Sequence, residues 1–225
     1  MANTSENETL ATSLSAKLEK SKGLVLTVGA IVLVLVAAVL VFATVRAKSI
    51  SNGIERVDSI SYALTNESEE LSDSDIAARQ NKALEELVSL GDKSGIVGLR
   101  ANMLIAEIKF AQKNYEEARS AWLKAANLNK KAYTASVCFF NAALCSEELN
   151  DSENAIAYYK LASEDENFLL IDHALFSLGR VNETAQKYEE AKETYQKLYD
   201  LHSTSNWGLL AKSRLIALKA AGNIQ

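Results

Sequence analysis

The 225-residue sequence predicts an all-α chain, with one transmembrane helix near the N-terminus followed by an α-solenoid. Three observations predict it. Leu24–Val45 is an unbroken, uncharged apolar run. Proline is absent throughout, while Ala, Leu, Glu and Lys are plentiful, which favours long uninterrupted helices. Beyond residue 98, a pattern of small and aromatic residues recurs at spacings of 37 and 36.

Residues 1–23 are expected to form a short flexible tail, Ser/Asn/Glu-rich at first and charged at Lys17, Lys20 and Lys22. Residues 24–45 follow as the span. A helix of that length rises about 33 Å, enough to cross a hydrocarbon core of about 30 Å. The run is longer than the apolar core of a cleaved signal peptide, which has roughly 7–15 residues, so it is read as a retained anchor surrounded by lipid. Lys17, Lys20 and Lys22 on one flank set against Arg46 and Lys48 on the other give only a small charge bias. The expected arrangement is a cytoplasmic N-terminus and a translocated C-terminal domain.

Residues 46–74 read as a linking helix and loop. Ile54, Val57 and Ile60 recur at helical spacing, and TNESEELSDSD from Thr65 is polar. Asp73 or Ser74 is placed to cap a helix over about Asp75–Leu90, closed by Gly91. Residues 75–225 then form the repeat domain.

Three segments align: NYEEARSAWLKAANLN from Asn114, DSENAIAYYKLASEDE from Asp151 and KYEEAKETYQKLYDLH from Lys187. Each opens a helix and places Ala118, Ala155 or Ala191 at one point, with Trp122, Tyr159 or Tyr195 four residues on. Twelve residues before each alanine stands Ala106, Ala143 or Gly179. Antiparallel helices approach closely only where side chains are small. Ala106, Ala143 and Gly179 are therefore expected to face Ala118, Ala155 and Ala191, with the aromatics filling the gap toward the neighbouring pair. One pair leaves a face uncovered, so the pairs stack. Ala83 and Leu87, 35 residues before Ala118 and Trp122, mark an earlier degenerate pair, and Ser205–Ala221 reads as a capping helix.

These residues resemble the tetratricopeptide repeat over about Leu99–Leu128, Ser136–Glu164 and Asp172–His202. Tyr115 and Tyr188 match its post-turn tyrosine. Ser152 departs from it, and its early Trp is replaced by Asn102, Phe139 and Leu175. Tail, single span, linking helix and short array together resemble the bacterial YfgM-like family. That resemblance implies an inner-membrane protein with a periplasmic repeat domain, partnered by Sec translocon subunits and periplasmic chaperones.

Chemistry is not indicated. The net charge is −5, from 24 basic and 29 acidic residues, with no basic stripe, so nucleic acid is not an expected partner. His173 and His202 are isolated, and no HExxH, CxxC, GxSxG or phosphate loop occurs. Glu116–Glu117 and Glu189–Glu190 sit in first helical turns, where acid side chains favour the dipole. Cys138 and Cys145 are seven apart on one expected helix, about 10.5 Å along its axis, too far for a disulfide within it. No enzyme activity, metal or cofactor is expected.

The expected role is a protein-binding module whose concave wall is lined by the first helix of each pair. Asn102, Lys109, Asn141, Ser146 and Asn182 are the expected exposed contacts there, Asn141 foremost because it interrupts an apolar run. The alternative is a homodimeric scaffold for assembly of another envelope complex.

Overall fold

The computed structural model describes residue 12, residues 22–129 and residues 133–225; for Val25 only the backbone is described. Most of the expected N-terminal tail lies outside the described residues. Among those described, the secondary structure is α-helix with one 3-10 turn, Ser68–Glu70. The chain divides into two compact units, Met1–Asn52 and Gly53–Gln225.

Helix α1 runs over Lys22–Thr65, 44 residues. Its described side chains between Leu24 and Val45 are exposed on every face. A helix that is apolar all round and meets no protein core is suited to lipid rather than water. It is long and apolar enough to cross a membrane, as a membrane anchor or a signal peptide would be.

The second unit contains Gly53–Thr65 of α1 and then α2 (Asp73–Gly91), α3 (Gly95–Ala111), α4 (Tyr115–Leu128), α5 (Tyr133–Glu148), α6 (Ser152–Ala162), α7 (Ile171–Thr184), α8 (Tyr188–Leu201) and α9 (Asn206–Ala220). From α2 onward each helix packs on the next, and α9 also touches α7. Val57 and Ile60 of α1 join Ala83 and Leu87 of α2 and Ala101 and Ile108 of α3 in one apolar cluster. The order is thus four antiparallel pairs, α1/α2, α3/α4, α5/α6 and α7/α8, closed by α9. Ser72, rather than Asp73 or Ser74, caps α2: its backbone is extended and its Oγ accepts from the Asp75 N–H at 3.3 Å.

One turn recurs inside three of the pairs. Lys113, Asn150 and Gln186 take the left-handed conformation, with φ of 62°, 56° and 59°. In each case the following N–H, of Asn114, Asp151 or Lys187, donates 2.8 Å back to the carbonyl of Lys109, Ser146 or Asn182. This six-to-one bond satisfies a carbonyl that a helix end would leave unpaired, and it reverses the chain into the second helix of the pair.

The small positions are all buried: Ala106, Ala118, Ala143, Ala155 and Ala191 are fully enclosed, and Gly179 is buried with them. Trp122, Tyr159 and Tyr195 are buried too. The aromatics differ from expectation in where they lie. A Cβ added at Gly179 would stand 2.5 Å from Cε1 of Tyr195, so the ring of α8 lies over the small position of α7, inside its own pair. Tyr159 likewise meets Phe140 of α5, with ring centroids 5.6 Å apart. A small residue on the first helix makes room for the ring of the second, and the neighbouring pair closes over both.

Candidate interaction surface

The polar residues nominated from sequence do not share an open wall. Asn102, Ser146 and Asn182 are buried rather than exposed. The amide of Asn102 donates 2.7 Å to the carbonyls of both Gly91 and Gly98, tying the end of α2 to α3. Ser146 Oγ donates 3.0 Å to the Ala142 carbonyl. Ser146 and Asn182 occupy the equivalent place in their turns, each giving its carbonyl to the six-to-one bond. Asn141 is half-buried and donates 2.9 Å to Val137 O, one turn back on its own helix. Lys109 pairs across its own turn with Glu117 at 2.6 Å. The side chains of Asn102, Asn141 and Ser146 thus bond backbone carbonyls, the usual way for such groups to sit in an apolar run.

The face that the first helices share carries different residues. Arg180 of α7 reaches Glu147 of α5 at 2.7 Å, and Glu147 also accepts from the Tyr159 hydroxyl at 2.6 Å. One pair further on, Arg214 of α9 bonds Glu183 of α7, which accepts from the Tyr195 hydroxyl at 3.1 Å. Arg100 of α3 pairs with Asp58 of α1 in the same sense. An arginine on each of these first helices therefore clamps an acid on the one before. Burial, then the adjacent carboxylate, raises both phenols above the ordinary tyrosine range, so each stays a hydrogen-bond donor.

Aromatic rings follow the same path. His173 meets Phe140 edge-on at 5.0 Å and stacks on Trp207 at 4.3 Å, and Trp207 also meets Phe176 at 5.2 Å. Burial, then Arg180, lowers the His173 pKa, which favours the neutral ring in this stack. Between the clamps, Met103, Leu144 and Phe176 are left half-buried, while Phe110 and Leu210 are exposed. Glu107 is a carboxylate on this face of α3 with no ion-pair partner among the described residues. Its pKa is raised by desolvation.

Sequence reasoning missed this wall because its arginine–carboxylate pairs join residues 31 to 42 apart, and no local pattern marks them. The signal available was the register itself. Phe140 and Phe176 stand three residues before the small positions Ala143 and Gly179, and Glu147 and Glu183 stand four after them.

On the opposite side, between α6 and α8, lies a cavity of about 730 Å³ floored by Ile171, Leu175 and Leu178. Its rim carries both charge signs, including Lys160, Lys197, Glu190 and Glu193. Among the described residues no group of three or more His, Cys, Asp or Glu is placed to hold a metal ion. Cys138 and Cys145 are free, buried thiols.

Comparison with known proteins agrees with this architecture. Tetratricopeptide repeat models match residues 138–164 and 173–205. A TPR repeat-containing protein of Treponema pallidum (strain Nichols) is 33% identical over 152 residues. The match covers 66% of this chain and 64% of that relative's length. The chain thus carries tetratricopeptide repeats over these two stretches, is similar to a bacterial TPR repeat-containing protein, and spans a little under two thirds of that relative's length.

Proposed function

We propose that this repeat protein is anchored in a bacterial inner membrane by residues 24–45, with its N-terminus cytoplasmic and its repeats in the periplasm. There it holds a segment of a partner protein against the first-helix wall. One observation carries the choice of wall. Apart from Glu107, its charges are paired in arginine–carboxylate clamps, yet Phe110, Leu144, Phe176 and Leu210 are left wholly or partly open to solvent between them. Half-open apolar groups beside satisfied polar ones bind other apolar groups without exposing new unpaired charge. The partner segment offers apolar side chains to these residues and a cation to Glu107.

Translocon subunits, periplasmic chaperones and emerging secreted chains are the proposed partner classes. A helix long and apolar enough to cross a membrane supports this reading, and the family resemblance points the same way. Proximity cross-linking in intact membranes tests this. The expected result is capture of one of those classes, reduced when Leu144 is changed to Glu. Capture of only a second copy, or of none of the three classes, overturns the reading in favour of a homo-oligomeric scaffold.

A further inference from the structure

Helix α9 has the register of a first helix, and no following helix packs on it among the described residues. Its register follows from its contacts. Trp207 meets Phe176 as His173 meets Phe140, and Arg214 clamps Glu183 as Arg180 clamps Glu147. Residues 173 and 180 of α7 therefore correspond to 207 and 214 of α9, and Gly179 corresponds to Ser213. The positions that look back at the preceding pair behave alike in the two helices. Ala174 and Ser177 are buried, and so are Gly208 and Ala211.

The positions that α8 covers on α7 behave oppositely. Leu175 and Asn182 are 2% and 4% exposed, whereas their counterparts Leu209 and Ile216 are 51% and 63% exposed. Ser213, at the small position, is exposed, and so is Ala220. Leu209, Ser213, Ile216 and Ala220 form one uncharged stripe at helical spacing. The C-terminal turn is the one that elsewhere leads into a second helix. Gly222 has φ of 75°, and the Asn223 N–H donates 3.0 Å to Leu218 O. A terminal helix facing water normally presents a polar outer face; this one presents Leu, Ser, Ile and Ala.

We propose that this stripe is a docking site for an amphipathic helix of a partner protein. The helix lies antiparallel to α9, with an aromatic ring over Ser213, as Tyr195 lies over Gly179, and acidic residues in its first turn. The charge around the stripe selects this occupant. α9 carries Lys212, Arg214 and Lys219 and no acid, and neither Lys212 nor Lys219 has a carboxylate partner among the described residues. A second copy packed α9 to α9 about a two-fold axis would bring the cations of both helices together with no acid between them. The second helices of this chain show the complementary design. α4 and α8 begin with paired glutamates, and Glu117 of α4 already meets Lys109 at the end of α3.

The probe is a fluorescein-labelled peptide of residues 187–202, titrated against the full chain in detergent micelles and read by anisotropy. The expected result is saturable binding, weakened about tenfold or more by Ser213→Arg, which fills the small position. Lys219→Glu weakens it as well, and a peptide with both first-turn glutamates changed to lysine restores binding to that variant. Glu107→Gln, on the first-helix wall, leaves the affinity unchanged, which separates this site from the proposed wall. Ser213 is exposed, so a thermal melt of S213R is expected to match that of the unaltered chain. Absence of saturable binding, or binding indifferent to S213R, overturns the proposal. So does a concentration-dependent dimer that S213R dissolves, because the occupant is then a second copy.

Discussion

Gly179 decides how closely α7 and α8 approach, because the Tyr195 ring occupies the space a Cβ would need. Gly179→Val is expected to force that ring aside and lower stability by about 1–3 kcal/mol in urea unfolding, as overpacking does elsewhere. The importance of this position was legible from the chain itself, since small residues recur there at fixed spacing. Its mate was not, because one-dimensional spacing does not say which of two residues, Ala191 or Tyr195, lies across from it. The cysteines offer a second test. Burial pushes the Cys138 thiol up to about 12 and the Cys145 thiol up to about 11. Thiolate is the reactive form, so at pH 8 both are expected to resist a disulfide reagent in the folded protein. Labelling should follow the global unfolding rate, and rapid labelling of the native chain would show that these helices open locally.

His173 gives the stability a pH dependence. The folded state holds its pKa below the ordinary histidine value, so the unfolded chain takes up a proton first as pH falls. Its contribution is present in full above about pH 6.5 and is lost as pH drops from there through the lowered folded value. His173→Gln should flatten the loss of melting temperature between pH 7 and pH 5. An unchanged slope would show that the ring is not held neutral between Phe140 and Trp207.

At the scale of elements, the recurring turn sets the pairs. Lys113, Asn150 and Gln186 hold a left-handed backbone that costs an L-residue roughly 1–2 kcal/mol, a strain glycine avoids. Gln186→Gly is expected to raise stability by roughly 0.5–1 kcal/mol, and equilibrium denaturation checks it. The helix starts at Asn114, Asp151 and Lys187 were legible in the aligned segments, and each of these residues directly precedes a helix. The roles of Asn102, Ser146 and Asn182 were not, because a polar residue in an apolar run looks the same whether it meets a ligand or a neighbouring carbonyl. Backbone accounting separates the two cases: Asn102 donates twice to main-chain oxygens, and Ser146 once. The exposed stripe of α9 was also hidden. Its residues are as apolar as those of a core, and only the absence of a covering helix makes them surface.

Across the repeats, the main helix contacts among the described residues lie within a pair or with the next pair, so stability is close to a sum of local terms. Gly179→Val is therefore expected to speed hydrogen exchange in α7, α8 and α9 more than in α3 and α4. Uniform loss of protection would mean that the array unfolds as one unit. The same arrangement lets a linear set of pairs build one continuous wall from residues far apart in sequence, with a spare helix face at its end. The long apolar helix was legible because an uncharged run of that length has a simple reading. The wall was not, because it exists only after the pairs stack.

The claim on which the function rests is that the first-helix wall is the surface a partner meets. Site-specific photocross-linking in intact membranes tests it most directly, with the reactive group placed in turn at Phe110, Leu144 and Phe176, and at the exposed Ser120 and Glu193 on the second helices. Adducts with a partner protein from the first three positions and none from the last two are the expected result. Adducts from Ser120 or Glu193, with none from the wall, would contradict it.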